Sequence, residues 1–193
     1  MTPDDEPGAE VVLARHGETE WSRDMRHTGR TDVPLTERGR EQAAALAPRL
    51  AERGFARVLV SPLSRAVETC ELAGLGGRAE RTDALLEFDY GDAEGKTTAQ
   101  MRERVPDWTV WTHSTPGAET PDDVGARLAP LVAELVRADG DVAVFAHGHV
   151  LRVLAALWIE SEPVEGSRFA LSTGTLSTLG WERDARVFRA WNA

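Results

Sequence analysis

Two short apolar segments of the sequence each end at a histidine followed by a glycine. The segment VVLARHG covers residues 11–17, and VAVFAHG covers residues 142–148. Short runs of this composition are typical of buried parallel strands. If both strands lie parallel in one sheet, their carboxyl ends place His16 and His147 on the same edge. Open α/β sheets bind ligands at that edge.

The rest of the chain alternates between helical and strand patterns. Predicted strands cover residues 10–14, 57–60, 78–80, 141–146, 175–181 and 186–191. Predicted helices cover residues 37–53, 62–73, 98–105, 121–138 and 149–157, with Thr36 and Ser61 as the expected N-caps of the first two. This alternation predicts an α/β fold, with a mostly parallel central sheet between layers of helices.

Length and composition limit the possible architectures. The 193 residues, 41% of them hydrophobic, suffice for one compact domain. We therefore predict a single domain over residues 1–193, with a frayed tail at 1–9 and a small cap segment at about 90–121. No run is long and apolar enough to cross a bilayer, and the start of the chain is acidic where a signal peptide would be basic.

The charge and the cysteine content indicate the partners and the compartment. The net charge of −10 opposes binding to nucleic acid or to anionic lipid, so an anionic ligand needs a local cluster of positive charge. Cys70 is the one cysteine, which excludes an intramolecular disulfide and favours a reducing compartment. A cytoplasmic protein is the expectation, and a disulfide-free secreted protein is the alternative.

The residues around the two His-Gly pairs suit chemistry on a phosphate. A neutral imidazole such as that of His16 attacks phosphorus when cations neutralise the phosphate charge, and Arg15 offers a bidentate fork for this purpose. Arg65 is expected in the first turns of the helix that follows the second strand. Gly17 and Gly148 allow the backbone to approach a phosphoryl group, and the start of the last predicted helix adds a favourable dipole.

Four motifs in order, ARHGETEW, SPLSRAVET, LLEFDYGDAEG and FAHGHVLRVL, resemble those of the histidine phosphatase superfamily, the clan of phosphoglycerate mutases and acid phosphatases. The resemblance covers nearly the whole chain. It implies a three-layer α/β/α sandwich and a phosphohistidine on His16. It also implies that Arg15, Arg65 and His147 bind the transferred phosphoryl group and that Glu87 is the proton donor.

The physical interpretation of Glu87 agrees with that implied role. Expulsion of an alkoxide from a phosphomonoester requires a proton, which a carboxyl group among the apolar residues of LLEF retains near neutral pH. After donating, the same group takes a proton from the water that attacks the phosphohistidine. Asp89 and Glu94 are alternative acids. The expected reaction is a two-step hydrolysis with neither a metal nor another cofactor.

The resemblance also implies three further residues of the phosphate pocket. Thr28 and Gly29, in the segment RHTGRTD, are expected to line it. Ser22 stands where many relatives have asparagine, which implies a weaker hydrogen bond to phosphate.

The choice between a hydrolase and a mutase depends on the cap. The mutases of this clan carry a lysine shortly after the proton-donor motif and an arginine pair in the cap. This sequence has Thr98 near the lysine position and Thr112-His113 near the arginine pair, while Lys96 is a partial substitute. A phosphatase acting on small phosphorylated molecules, including sugar phosphates, is therefore predicted. The alternatives are a phosphoglycerate mutase and a non-catalytic module that binds phospho-ligands.

The other histidines receive structural interpretations. His149 is expected in the first helical turn, facing away from the phosphate. His27 and His113 are expected on the surface or at the pocket rim, with His113 nearer to the substrate. Metal binding by His147 and His149 has only weak support, because no acidic or cysteine partner lies nearby in the sequence. The sequence leaves the physiological substrate and the oligomeric state open.

Overall fold

The computed structural model describes residues 8–193, so the predicted tail at 1–9 lies outside the described residues except for its last two positions. Its strands are β1 (Val11–Arg15), β2 (Arg57–Val60), β3 (Ala79–Arg81), β4 (Val142–Ala146), β5 (Leu176–Glu182) and β6 (Ala185–Ala190). Its α-helices are α1 (Glu20–Arg23), α2 (Glu37–Leu50), α3 (Ser64–Leu72), α4 (Thr98–Arg102), α5 (Pro121–Val136) and α6 (Gly148–Trp158). Short 3₁₀ helices cover Gly76–Arg78, Asp83–Leu85, Gly91–Ala93 and Pro163–Arg168.

All six strands form one sheet in the order β3-β2-β4-β1-β5-β6. The pairs β1–β4, β2–β4 and β2–β3 are parallel, whereas β1–β5 and β5–β6 are antiparallel. The prediction of an α/β fold with a mostly parallel sheet is confirmed. The two antiparallel strands are the last in the chain, where a short turn at residues 183–184 joins β5 to β6 without a crossover helix.

Helices cover both faces of the sheet because successive strand residues point to opposite sides. Val11 and Leu13 of β1 belong to one core cluster, which α5 and α6 complete. Val12 and Ala14 belong to a second cluster, which includes residues of α2 and α3. Every residue of β4 is buried, as expected for a strand covered on both faces. The chain therefore forms three layers.

Of the two N-caps expected from the sequence, one is confirmed and one is not. Thr36 caps α2 by accepting a hydrogen bond from the Gly39 N–H at 3.0 Å. The helix predicted to start at Pro62 instead starts at Ser64, with no side-chain cap. The expectation that Ser61 caps this helix was wrong, because the helix starts later than predicted and its N-cap position is Leu63. The hydroxyl of Ser61 instead pairs with Nε2 of His147 at 2.6 Å.

The segment at 90–121 packs onto the sheet through α4 and the residues that flank it. Tyr90, Met101 and Trp108 are buried in the cluster that also contains α5 and α6. An isolated bridge pairs Arg26 with Thr97, so the loop after α1 lies against this segment. Within residues 8–193, no helix has the length and apolar character needed to cross a membrane.

Candidate active site

The ends of β1 and β4 bring the two histidines of the His-Gly pairs together. Arg15 and Ala146 are register partners in the parallel pair, so His16 and His147 follow at adjacent positions. Their ring centroids lie 5.2 Å apart, and both side chains are buried. The structure thus has the two imidazoles next to each other at the carboxyl edge of the sheet.

His16 lines a cavity of about 310 Å³, and one of its ring nitrogens makes no hydrogen bond within residues 8–193. Its Nδ1 lies 2.7 Å from the carbonyl oxygen of Gly17. A carbonyl only accepts, so Nδ1 carries the proton and Nε2 keeps its lone pair. Burial, together with the positive charges of Arg65 and Arg15, lowers the pKa of His16 well below its usual value. The imidazole is therefore neutral near pH 7, which is the form that acts as a nucleophile.

His147 uses both of its ring nitrogens within the protein. Nε of Arg65 donates to Nδ1 of His147 at 3.1 Å, so the ring proton resides on Nε2 and is donated to Ser61. Burial and neighbouring positive groups, Arg65 foremost, lower the pKa of His147 well below its usual value. The imidazole of His147 is neutral and fully buried, and its two hydrogen bonds hold it in one orientation next to His16.

Arg15 lines the cavity next to His16 and keeps part of its guanidinium group available. It donates to the carbonyl oxygen of Leu171, and its buried Nε has no hydrogen-bond partner in the part of the chain that the structure describes. The guanidinium group packs against Gly148, where an added Cβ would lie 3.2 Å from its Cζ. Burial lowers the pKa of Arg15. A poorly solvated cation of this kind gains from an anionic ligand.

Arg65 is fully buried and is absent from the cavity wall. It donates to the carbonyl oxygens of Thr28 (3.1 Å), Gly29 (2.9 Å) and Thr31 (3.0 Å) as well as to His147. These contacts fix the loop that carries Thr28, which does line the cavity.

Gly17 and Gly29 lie where the neighbouring backbone leaves no room for a Cβ. An added Cβ at Gly29 would lie 2.3 Å from the carbonyl oxygen of Phe88, and one at Gly17 would lie 2.1 Å from that of Gly39. Neither Gly17 nor Gly29 is part of the described cavity wall, whereas Gly148 is. The requirement for glycine at positions 17 and 29 therefore comes from neighbouring backbone.

Glu87 lies on the cavity wall, with its carboxylate at the start of α6. Oε1 accepts from the N–H groups of Phe88 (3.0 Å) and Val150 (2.9 Å), and Oε2 accepts from that of His149 (3.0 Å). All three partners donate, which is the pattern of an ionised carboxylate. Oε2 has one acceptor position left, so this oxygen is the one that can take up or release a proton.

The alternative acids are engaged elsewhere. Asp89 accepts from the N–H of Gly91, and Glu94 accepts from those of Gly29 and Thr31. Neither belongs to the described cavity wall. Glu87 is therefore the acid that lines the same cavity as His16.

Several residues of the cavity were not predicted, or were placed wrongly, from the sequence. The expectation that His149 faces away was wrong, because its ring lines the cavity and its Nδ1 pairs with the hydroxyl of Tyr90. His27 lines the cavity and His113 does not. The full set of lining residues is Arg15, His16, Ser22, Met25, Arg26, His27, Thr28, Glu87, Tyr90, Thr98, Gly148, His149, Arg152 and Leu171.

One of these residues carried a sequence signal. Arg152 stands three positions after His149, which is the spacing of one helical face. Since His149 lies in the first turn of α6, Arg152 follows it toward the same cavity. Tyr90 has no comparable signal, because it lies in an irregular segment. Within residues 8–193, no cluster of three or more His, Cys, Asp or Glu side chains is arranged to hold a metal ion.

Comparison with known proteins agrees with this geometry. The family model of the histidine phosphatase superfamily (branch 1) matches residues 11–193. An acid phosphatase of Mycobacterium tuberculosis is 42% identical over 180 residues, which span 91% of this chain and 88% of the relative. A 2,3-bisphosphoglycerate-dependent phosphoglycerate mutase of Mesorhizobium japonicum is 36% identical over 182 residues, covering 85% of this chain and 88% of the mutase.

A solved structure of an open reading frame from M. tuberculosis superimposes with a TM-score of 0.91 at 39% identity, covering 95% of this chain and 97% of that one. The fold, the paired histidines at the sheet edge and the family match are consistent with one another. The chain belongs to the histidine phosphatase superfamily, and it is an enzyme of branch 1 of that superfamily.

Proposed function

We propose that this enzyme hydrolyses small organic phosphomonoesters, sugar phosphates among them, through a phosphohistidine on His16. The observation that carries the proposal is the state of the His16 ring. Nδ1 is fixed by the Gly17 carbonyl, Nε2 makes no hydrogen bond within residues 8–193, and Arg15 lines the same cavity. A neutral, oriented imidazole next to a cation is suited to in-line attack on a phosphoryl group.

In the first half-reaction, the lone pair on Nε2 of His16 forms a bond to phosphorus as the bond to the ester oxygen breaks. The electron pair of that bond stays on the departing oxygen, which takes a proton from Oε2 of Glu87. The negative charge of the bound phosphate favours this proton on Glu87 before the step. Arg15 stabilises the charge on the phosphoryl oxygens, and Arg65 and His147 hold the surrounding loops and rings in place.

In the second half-reaction, a water molecule attacks the phosphohistidine. Glu87, now a carboxylate, takes a proton from the water as its oxygen bonds to phosphorus. The bond from phosphorus to Nε2 breaks, and its electron pair returns to His16. Free phosphate leaves, Glu87 gives its proton to solvent in the free enzyme, and it takes up a proton again when the next phosphomonoester binds.

Rapid quenching with a ³²P-labelled aryl phosphate tests these roles. We expect His16→Ala to abolish covalent labelling. Glu87→Gln should still form the labelled enzyme, because an aryl oxide of low basicity departs without a proton, whereas its second step should be slow. Equal loss of labelling in both variants would contradict the assigned roles. Turnover in the presence of a chelator is expected to be unchanged, and restoration of a lost rate by added divalent ion would count against the scheme.

Phosphoglycerate mutase activity is the second candidate, because a mutase is among the relatives. The cavity wall carries Thr98 where the mutases of the clan have a lysine, and neither Lys96 nor His113 is part of that wall. These features favour hydrolysis. Analysis of the product of 3-phosphoglycerate, with and without 2,3-bisphosphoglycerate, separates the two: a hydrolase releases inorganic phosphate, and a mutase returns a phosphorylated product.

A further inference from the structure

The active-site cavity holds more positive charge than a single phosphoryl group needs. Besides Arg15, its described wall contains Arg26 and Arg152, and Glu87 is the single carboxylate among those residues. Within residues 8–193, neither Arg26 nor Arg152 forms an ion pair. In a chain of net charge −10, such a local excess favours binding of a further anion.

The guanidinium group of Arg152 is held in place without being neutralised. Its Nε donates to the carbonyl oxygen of Gly166 at 2.8 Å, and its Nη2 donates to that of Ser167 at 2.8 Å. The ring of Trp111 lies against it, with 4.6 Å from Cζ to the ring centroid. Burial lowers the pKa of Arg152, so the cation is poorly solvated and an anion would stabilise it. Nη1 makes no hydrogen bond in the described part of the chain and remains available.

His149 adds a neutral donor on the same face of α6, three residues before Arg152. Its ring centroid lies 5.2 Å from that of Trp111. The hydroxyl of Tyr90 is buried, and Nδ1 of His149 is its one partner within residues 8–193. Burial raises the pKa of Tyr90 and lowers that of His149 well below its usual value, so the phenol keeps its proton and the imidazole is neutral. The phenol therefore donates to Nδ1, which leaves the ring proton on Nε2.

We propose that Arg152, which packs against Trp111, and the Nε2–H of His149 form a second anion subsite on the wall of this cavity. The preferred substrates are then phosphomonoesters whose alcohol carries a carboxylate or a second phosphoryl group. This inference rests on the proposed phosphatase function. Arg152 supplies charge and a planar pair of donors, and His149 supplies a donor that Tyr90 orients. The phosphoryl centre at His16 and this subsite share one cavity, so a single small molecule spans both.

Matched substrate pairs test the subsite. 3-Phosphoglycerate and glycerol 3-phosphate differ only by a carboxylate in place of a hydroxymethyl group, and fructose 1,6-bisphosphate differs from fructose 6-phosphate by the second phosphoryl group. We expect kcat/KM to be roughly tenfold or more higher for the anionic member of at least one pair, as for a charge-assisted hydrogen bond in a partly buried site. The pair that shows the preference identifies the anion.

Variants of Arg152 and His149 test whether these residues cause the preference for the anionic substrate. Arg152→Gln should bring the ratio of kcat/KM within each preferred pair to within roughly threefold of one, and His149→Gln should lower it by roughly threefold. Arg104→Gln removes the same charge at an exposed position outside the cavity wall and should leave the ratio unchanged. Arg152 also binds the carbonyl groups of Gly166 and Ser167, so its replacement can disturb the structure. The readout is therefore the ratio of kcat/KM within a substrate pair, because a purely structural loss lowers kcat/KM equally for both substrates of the pair. If Arg152→Gln does not fold, the ratio of kcat/KM measured for His149→Gln tests the subsite.

A wild-type ratio near one for both pairs would overturn the subsite. A ratio that neither variant lowers would overturn it as well. In both cases turnover of para-nitrophenyl phosphate and labelling of His16 would leave the proposed function intact. If the wild-type enzyme neither turns over para-nitrophenyl phosphate nor becomes labelled, the proposed function and the subsite both fail.

Discussion

Replacing Glu87 with glutamine tests whether its carboxylate is ionised in the free enzyme. Three backbone N–H groups donate to its two oxygens. Glutamine offers one oxygen and one NH₂ group, so it retains at best the two bonds at Oε1 and turns an N–H donor toward the N–H of His149. One donor then stays unsatisfied, at about 1–3 kcal/mol, and two charge-assisted bonds become neutral ones. We expect Glu87→Gln to lower the free energy of unfolding by about 3 kcal/mol.

Urea unfolding and thermal unfolding at pH 7 measure this change. For a chain of this size, about 3 kcal/mol corresponds to a fall in Tm of roughly 6–12 °C. Glu103→Gln is the matched control, because it removes the same charge at an exposed position and should stay within about 0.5 kcal/mol of the wild type. If Glu87 carried a proton in the free enzyme, glutamine would mimic it closely. An unchanged unfolding midpoint for Glu87→Gln would therefore refute the ionised state.

Three further predictions concern packing and pH. Gly17→Ala should lower the free energy of unfolding by more than about 2 kcal/mol in urea titrations, because the new Cβ would lie 2.1 Å from the carbonyl oxygen of Gly39; wild-type stability would contradict this. The acid limb of kcat/KM should lie well below pH 6.5, because burial and neighbouring arginines lower the pKa of His16 and only its neutral form attacks; a limb at pH 6.5 or above would contradict the assigned nucleophile. Burial lowers the pKa of His27 to about 4, so between about pH 6.5 and 4 this side chain is protonated in the unfolded chain and neutral in the folded one. His27 alone should then lower the stability by no more than about 3 kcal/mol as pH drops from about 6.5 toward 4, in addition to the falls contributed by His16, His147 and His149. His27→Gln should make that part of the curve less steep in urea titrations; equal slopes in both proteins would exclude this role.

Much of the fold, and the meeting of His16 and His147 at one sheet edge, could be predicted because these features depend on local patterns. Apolar runs that end in His-Gly determine two parallel strands, and the carboxyl edge of a parallel sheet then brings His16 and His147 together. The last two strands were also predicted from their composition, whereas their antiparallel pairing was not. The predicted features need no knowledge of side-chain packing.

The features that the sequence did not reveal depend on tertiary contacts. The direction of His149 follows from the point where α6 begins, and that helix begins at Gly148 with His147 as its N-cap. A start one residue later would rotate the face that carries His149 and Arg152 by about 100°. Ser61 is not the cap because α3 starts only at Ser64, and the hydroxyl of Ser61 pairs with the ring of His147, which is distant in sequence. Local helix propensity contains no information on the exact start of α6 or on the contact between Ser61 and His147.

The central claim is that Nε2 of His16 carries the phosphoryl group during turnover. The most direct measurement is ³¹P–¹⁵N NMR of enzyme labelled with ¹⁵N-histidine, reacted with an aryl phosphate as the Glu87→Gln variant and quenched at alkaline pH. The account predicts one phosphorus bonded to Nε2 of His16, with Nδ1 unmodified. A phosphoryl group on Nδ1, on His147 or on an oxygen nucleophile would contradict it.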